Sequence, residues 1–198
     1  MNPINPSVGK PHDPSTSSVR QVSAGESIAA RTLRDIHDHD VQLPDPQWTV
    51  HLQFRRYAGC PVCNVHLRTF AARHDDLLSS RIKEVVVFHS EARVMRQFQS
   101  SLPFPAVADP GQVLYAEFGV RTMSIMAAAL NPRSWKAAAY ALSHSPSLRG
   151  AIGRGEQHLG LPAEFLIDPD GVVIAAHYGR VVDDQWSVDE VLRLSAAR

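Results

Sequence analysis

Cysteine is scarce: two residues in a chain of 198, too few for the disulfide framework that holds small secreted domains together. Long apolar runs are missing too. No stretch approaches the roughly 20 apolar residues of a membrane span. An excess of positive charge is also lacking, since Lys and Arg number 20 against 20 Asp and Glu, so no overall field favours a polyphosphate and nucleic acid is not an expected partner. The opening MNPINPSVGKPHDPSTSSVRQ carries neither a basic cluster nor an apolar core of the signal-peptide kind. These absences lead us to expect a soluble, cytoplasmic protein without membrane contact.

What is present is enough apolar material, 44% of the residues, to build one domain with a substantial core. Residues 1–26 are rich in Pro, Ser, Asn and Gly without periodicity, the composition of a disordered tail; residues 27–198 are expected to form a single domain. Ile28, Leu33 and Ile36 suggest a short helix over 27–40, ended by Pro44 and Pro46. Val50, Leu52 and Phe54 alternate with His51, Gln53 and Arg55, which predicts a strand over Trp48–Tyr57. A helix is expected over Asn64–Ser80, a buried parallel strand at Lys83–His89 and a helix at Glu91–Gln99. A short strand follows at Ala106–Ala108, then a helical turn near Val113–Phe118. Glu164–Asp168 and Val172–His177 flank Pro169-Asp170-Gly171 as a β-hairpin, and Val188–Leu194 closes the chain as a helix. This order, β-α-β-α followed by a hairpin and a last helix, is that of the thioredoxin fold, an α/β architecture with a central mixed sheet flanked by helices. Residues 121–160 exceed that plan and are expected to be a helical insertion of two short amphipathic segments. Their Met, Trp and Tyr residues are mostly core in this reading, with use as a groove or lid the alternative.

The two cysteines, Cys60 and Cys63, fall three apart, a spacing that chance gives about once in a hundred trials. They stand where a strand gives way to a helix. There the positive end of the helix dipole and its unpaired N–H groups favour a thiolate, so Cys60 is expected to have a lowered pKa and to attack. Cys63, one turn on, would resolve the mixed disulfide. Pro61 suits the first helical position. Arg55 and Arg56 could add positive charge, and strand alternation lets only one of them face the site. Two inert buried thiols are the plainer reading of the pair. A zinc site using Cys60, Cys63, His66 and His89 would be expected to bring a second closely spaced ligand pair, and no second cysteine pair exists. His37-Asp38-His39-Asp40 is read as solvated surface, and His66 and His89 as surface or capping groups that could also assist proton transfer.

The stretch from about 49 to 178 resembles the peroxiredoxin-like branch of the alkyl hydroperoxide reductase/thiol-specific antioxidant (AhpC/TSA) group of the thioredoxin superfamily. The matching pieces are Phe54 to Cys63 (FRRYAGCPVC), Ala108-Asp109-Pro110, and Leu161 to Gly171 (LPAEFLIDPDG). The resemblance implies that Leu161–Pro162 is a cis bond facing the active cysteine, with its backbone, Tyr57 and Arg56 helping to hold substrate. Typical peroxiredoxins carry a proline seven residues and a threonine or serine three residues before the attacking cysteine; here Gln53 and Tyr57 stand in those places. What remains without that pocket is thiol-disulfide exchange on a CxxC dithiol, with reduction of hydrogen or alkyl peroxides as the first alternative and a redox-inert binding module as the second. No bound cofactor is implied. The expected partners are a disulfide or peroxide substrate and an external thiol reductant of the thioredoxin or glutathione type, and pairing into a homodimer stays open.

Overall fold

The computed structural model describes residues 20–121, 139 and 160–197. Its elements, in chain order, begin with β1 (Arg31–Arg34), β2 (Asp40–Leu43) and β3 (Thr49–Phe54), then α1 (Pro61–Ala72), α2 (His74–Ser79) and β4 (Ile82–Phe88). The chain continues through α3 (Ala92–Gln99), β5 (Ala106–Ala108) and α4 (Val113–Glu117) to β6 (Ala163–Ile167), β7 (Val173–Tyr178) and α5 (Val188–Ala196). Five strands form one mixed sheet in the order β5-β4-β3-β6-β7. β4 runs parallel to β3 and β5 parallel to β4, whereas β6 is antiparallel to β3 and β7 to β6. This is the thioredoxin-like α/β fold.

Two apolar layers cover the sheet, and the alternation of β3 decides which residue enters which. Val50, Leu52 and Phe54 join Val85, Val87, Phe165, Leu114, Tyr115 and Phe118 on the α4 side. Leu67 and Phe70 of α1, Met95 of α3 and Val191 of α5 pack on the other. Phe54 meets Tyr115 and Phe165 edge-on at 5.0 and 5.8 Å, the arrangement that ring quadrupoles prefer. His51, Gln53 and Arg55 point to the α1 side, and all three are fully buried. The polar stripe of the strand is therefore inside the protein.

Several sequence expectations need correction. Residues 27–40 are not a helix: β1 and β2 pair antiparallel, from Arg31 opposite Leu43 to Arg34 opposite Asp40. Asp35 stabilises the turn between them by accepting from the backbone N–H groups of His37 and His39 at 2.8 and 2.9 Å, and Asp38 takes φ 66°. A side chain that closes a turn outcompetes a weak helical periodicity. The chain is also ordered before residue 27. Gly25 N–H donates to the Val173 carbonyl and Val173 N–H to that of Glu26, both at 2.8 Å, so this segment covers part of the β7 edge. At the opposite edge Ile36 N–H donates to the Ala106 carbonyl at 2.8 Å; open edges invite unwanted pairing, and here both are partly occupied. The tail over 1–19 and nearly all of the 121–160 insertion lie outside the described residues. The helix expected over 64–80 starts earlier, at Pro61, and divides at Arg73, whose φ of −116° and ψ of 24° leave the helical region. The hairpin turn follows expectation: Gly171 has φ 84°, and Asp168 Oδ1 accepts from Val172 N–H at 2.8 Å.

Candidate functional site: the cysteine pair and the charges beneath it

The segment from Arg55 to Cys60 carries the chain from the end of β3 into α1. Its turn is closed by Cys60 N–H donating to the Tyr57 carbonyl at 3.0 Å. Ala58 is fixed on both sides: its N–H donates to Ser90 Oγ at 2.8 Å, while its carbonyl accepts from Asn64 Nδ2 and Gln99 Nε2 at 3.0 and 2.8 Å. These bonds tie the site loop to α1, α3 and the end of β4.

Cys60 is the N-cap of α1, with extended backbone (φ −60°, ψ 113°) and Pro61 following at the first helical position. Its sulfur accepts from Cys63 N–H at 3.3 Å, and the two Sγ atoms lie 2.7 Å apart. Arg56, not Arg55, faces the pair: its Nη1 is 3.8 Å from Cys60 Sγ, and its guanidinium carbon lies 5.6 Å from the centre of the Tyr57 ring. Both cysteines are buried, at 0% and 2% exposure. The expected lowering of the Cys60 pKa is not what the structure gives. Burial, together with the neighbouring Cys63 sulfur, pushes the Cys60 thiol up. Burial opposes ionisation at Cys63 as well, yet the hydrogen bond from Cys60 and the positive charges of Arg56 and Arg55 bring it down to about 6. One proton is held between two sulfurs, and the pair titrates as a unit.

Beneath the pair lies a connected set of buried polar side chains. Arg55 Nη2 donates to Glu164 Oε1 at 2.7 Å, with both side chains fully buried, and approaches His66 Nδ1 at 3.1 Å. Gln53 and Gln185 also accept from Arg55. Glu164 Oε2 takes the Trp186 N–H at 2.5 Å. On the other side of Gln53, Glu84 accepts from Gln53 Nε2 and from His51 Nδ1, the latter at 2.9 Å. Register explains the assembly: Glu84 lies opposite His51 on β4 and Glu164 opposite Gln53 on β6. His66 bridges Arg55 to the Trp186 carbonyl at 2.9 Å. Burial first, then the Arg55 charge, hold its pKa well below the usual range, so His66 is neutral and part of this scaffold.

Sequence reasoning did not find Glu84, Glu164, His51 or Gln53. The available signal was a lone carboxylate inside each of two apolar strands, KEVVVF and AEFLI, because a buried charge needs a buried partner. Of the residues expected to hold substrate, Arg56 lies beside Cys60. Tyr57 is buried under Arg56. Leu161 and Pro162 line a cavity of about 480 Å³. The bond between them is not cis; among the described residues the cis peptide is Leu43–Pro44. Pro162 is held by a backbone hydrogen bond, its carbonyl accepting from Gly179 N–H at 2.9 Å. His89 is buried against Tyr115, ring centres 5.8 Å apart. Among the described residues no three His, Cys, Asp or Glu side chains converge as metal ligands, and no helix is long and apolar enough to cross a membrane.

Comparison with known proteins follows the same lines. No curated protein sequence matches the chain. Among solved structures, peroxidoxin BcpB from Mycobacterium tuberculosis superposes with a TM-score of 0.65 at 18% identity, over 90% of this chain and 99% of that one. A mutant of PrxQ from Xylella fastidiosa gives 0.66 at 15% identity over 90% and 98%. A putative thiol:disulfide interchange protein DsbE from Chlorobium tepidum gives 0.56 at 17% over 88% and 99%. At such identities these likenesses establish the fold. The AhpC/TSA family profile matches residues 24–176, which is most of the chain: the protein belongs to the AhpC/TSA family and is a thiol-dependent oxidoreductase of the peroxiredoxin-like kind.

Proposed function

We propose that Cys60 and Cys63 form a dithiol that cycles to a disulfide, taking oxidising equivalents from a disulfide or a peroxide. The observation that supports this most is the sulfur pair itself, 2.7 Å apart at the start of α1 with Arg56 beside it. The two sulfurs are neighbours, and the proton they share can rest on either. When it rests on Cys63, the Cys60 thiolate keeps the Cys63 N–H and the Arg56 charge. With a disulfide substrate, the Cys60 thiolate attacks one sulfur and the other leaves as a thiolate. Cys63 then displaces the bound half and closes the Cys60–Cys63 bond. An external thiol restores the dithiol, which suits a reducing compartment such as the cytoplasm. Because both sulfurs are buried, the first step includes a local opening that admits the oxidant.

Family membership favours a peroxide as the oxidant, and Arg56 is placed to stabilise charge as the O–O bond breaks. Cys60 would then become a sulfenic acid with release of water from hydrogen peroxide or of an alcohol from an alkyl peroxide, and attack by Cys63 would form the disulfide with loss of the sulfenic oxygen as water. Stopped-flow mixing of the reduced protein with hydrogen peroxide and, separately, with a small disulfide tests the scheme. Cys60→Ser should abolish both reactions, while Cys63→Ser should stop after one oxidation with a sulfenic acid or mixed disulfide trapped on Cys60. Wild-type rates in Cys60→Ser would remove the proposal. A wild-type rate no faster than that of free cysteine would do the same.

A further inference from the structure

We infer that the cavity beside the cysteine loop is a binding site for the carboxylate of a small thiol that reduces the oxidised enzyme; this rests on the dithiol cycle proposed above. The cavity, of about 480 Å³, is of the size that holds small ligands. Two arginines, Arg121 and Arg180, line it, and neither guanidinium makes an ion pair with a described carboxylate. Among the described residues no acidic side chain lines it. Two described carboxylates, Glu26 and Asp184, are already engaged. Glu26 is held by Arg20 at 2.6 Å. Asp184 accepts from the Arg180 backbone N–H at 2.8 Å and pairs with His177 at 3.1 Å. The Tyr178 hydroxyl, also in the lining, is committed to the backbone, accepting from Val22 N–H at 2.7 Å and donating to the Phe118 carbonyl at 2.6 Å. Gln21 adds a neutral amide to the lining, so the charged capacity of the cavity that is left unspent among the described residues is cationic.

Its position ties it to the sulfurs. Leu161 in the lining follows Gly160, where a Cβ would stand 3.5 Å from Arg56 Cγ, and Arg56 reaches Cys60. One wall of the cavity thus continues into the segment that lies against the Cys60–Arg56 pair. Gly179 leaves no room there for a side chain, since a Cβ would meet the Asp184 carbonyl at 2.6 Å and Pro162 Cγ at 2.7 Å. A thiol anchored by its carboxylate on Arg121 and Arg180 is delivered to the disulfide. Its thiolate attacks one sulfur of the Cys60–Cys63 bond and the other leaves as a thiolate. A second thiol then attacks the mixed disulfide, so that two thiols give one small disulfide and the reduced enzyme, with two electrons transferred.

Glutathione, which carries two carboxylates, and dithiothreitol, which carries none, are the probes. The ratio of kcat/KM for glutathione to kcat/KM for dithiothreitol should fall about tenfold in Arg121→Gln and in Arg180→Gln, the loss expected for one charge-assisted contact. It should fall further in the double variant and with added salt. Calorimetric titration of the wild-type protein with unreactive S-methylglutathione should show binding that is lost when its carboxylates are esterified. An unchanged ratio in the double variant, equal binding of acid and ester, or turnover sustained by a protein dithiol but not by glutathione would each overturn the inference. Dithiothreitol-driven turnover that persists in those cases leaves the dithiol cycle standing. Binding of S-methylglutathione without any turnover would instead sink the cycle and leave an anion site.

Discussion

Replacing Glu164 by Gln preserves the volume of the side chain but removes the charge opposite Arg55, and the structure says what this should cost. Glu164 uses both oxygens: Oε1 accepts from Arg55 Nη2 at 2.7 Å and Oε2 from Trp186 N–H at 2.5 Å. A glutamine has one oxygen, so its NH2 group must face either the guanidinium or the Trp186 N–H, both donors. In either orientation Arg55 is a fully buried cation with no carboxylate in contact, and one buried N–H faces another donor. Breaking a buried pair in this way costs about 3–5 kcal/mol, which for a domain of this size lowers Tm by roughly 6–20 °C. Urea denaturation followed by circular dichroism at pH 7 measures it directly. The companion Arg55→Met/Glu164→Leu removes both charges and should recover part of the loss, because the desolvation penalty of the pair disappears as well. A loss below about 1 kcal/mol for Glu164→Gln, the level of an exposed pair, would refute the reading that these charges are locked away from water.

Three further outcomes follow from the same geometry. With its folded pKa at about 6, below that of the unfolded thiol, Cys63 stabilises the fold fully above the unfolded pKa and progressively less as pH falls toward 6. Stability should therefore rise with pH across that window at up to about 1.4 kcal/mol per unit. The raised Cys60 pKa has the opposite sign, keeping a proton that the unfolded chain gives up, so the gain should reverse above about pH 9. Denaturation of wild type and Cys63→Ser from pH 5 to 10 checks this, and parallel curves would contradict it. Gly179→Ala forces the Asp184 backbone or Pro162 to move and should cost about 1–3 kcal/mol, seen as a lower urea midpoint. Asp109 accepts from Val113, Leu114 and Tyr115 N–H at the start of α4; Asp109→Ala should cost about 1–2 kcal/mol, and hydrogen exchange should quicken at those three amides.

Much of the fold was legible because the informative segments are strongly patterned. The alternation of β3, the β-branched run of β4 and the Pro-Asp-Gly turn each oblige one local structure, and the structure follows them. The failures came where tertiary contacts outrank local pattern. Residues 27–40 carry a weak helical periodicity, but Asp35 closes a turn and the neighbouring β5 edge offers backbone partners. Pro162 was expected to be cis from its place in the family pattern and is not. The cysteine pair was legible from spacing alone, and Arg56 from its place beside it; which of two adjacent arginines turns toward the sulfurs depends on the register of β3 and could not be read from a list of residues.

The sequence by itself determined that two thiols meet one turn apart at the start of a helix, because a strand, a glycine-containing turn, a Cys-Pro and an unbroken helical stretch can be arranged in few other ways. Only the tertiary structure decided how those thiols are charged. The polar stripe of β3 is buried, and burying it obliged Glu84 and Glu164 to come in from neighbouring strands as partners for His51, Gln53 and Arg55. Burial raises the cost of every charge near Cys60 and Cys63, and the positions of Arg55 and Arg56 then determine which sulfur gives up its proton first.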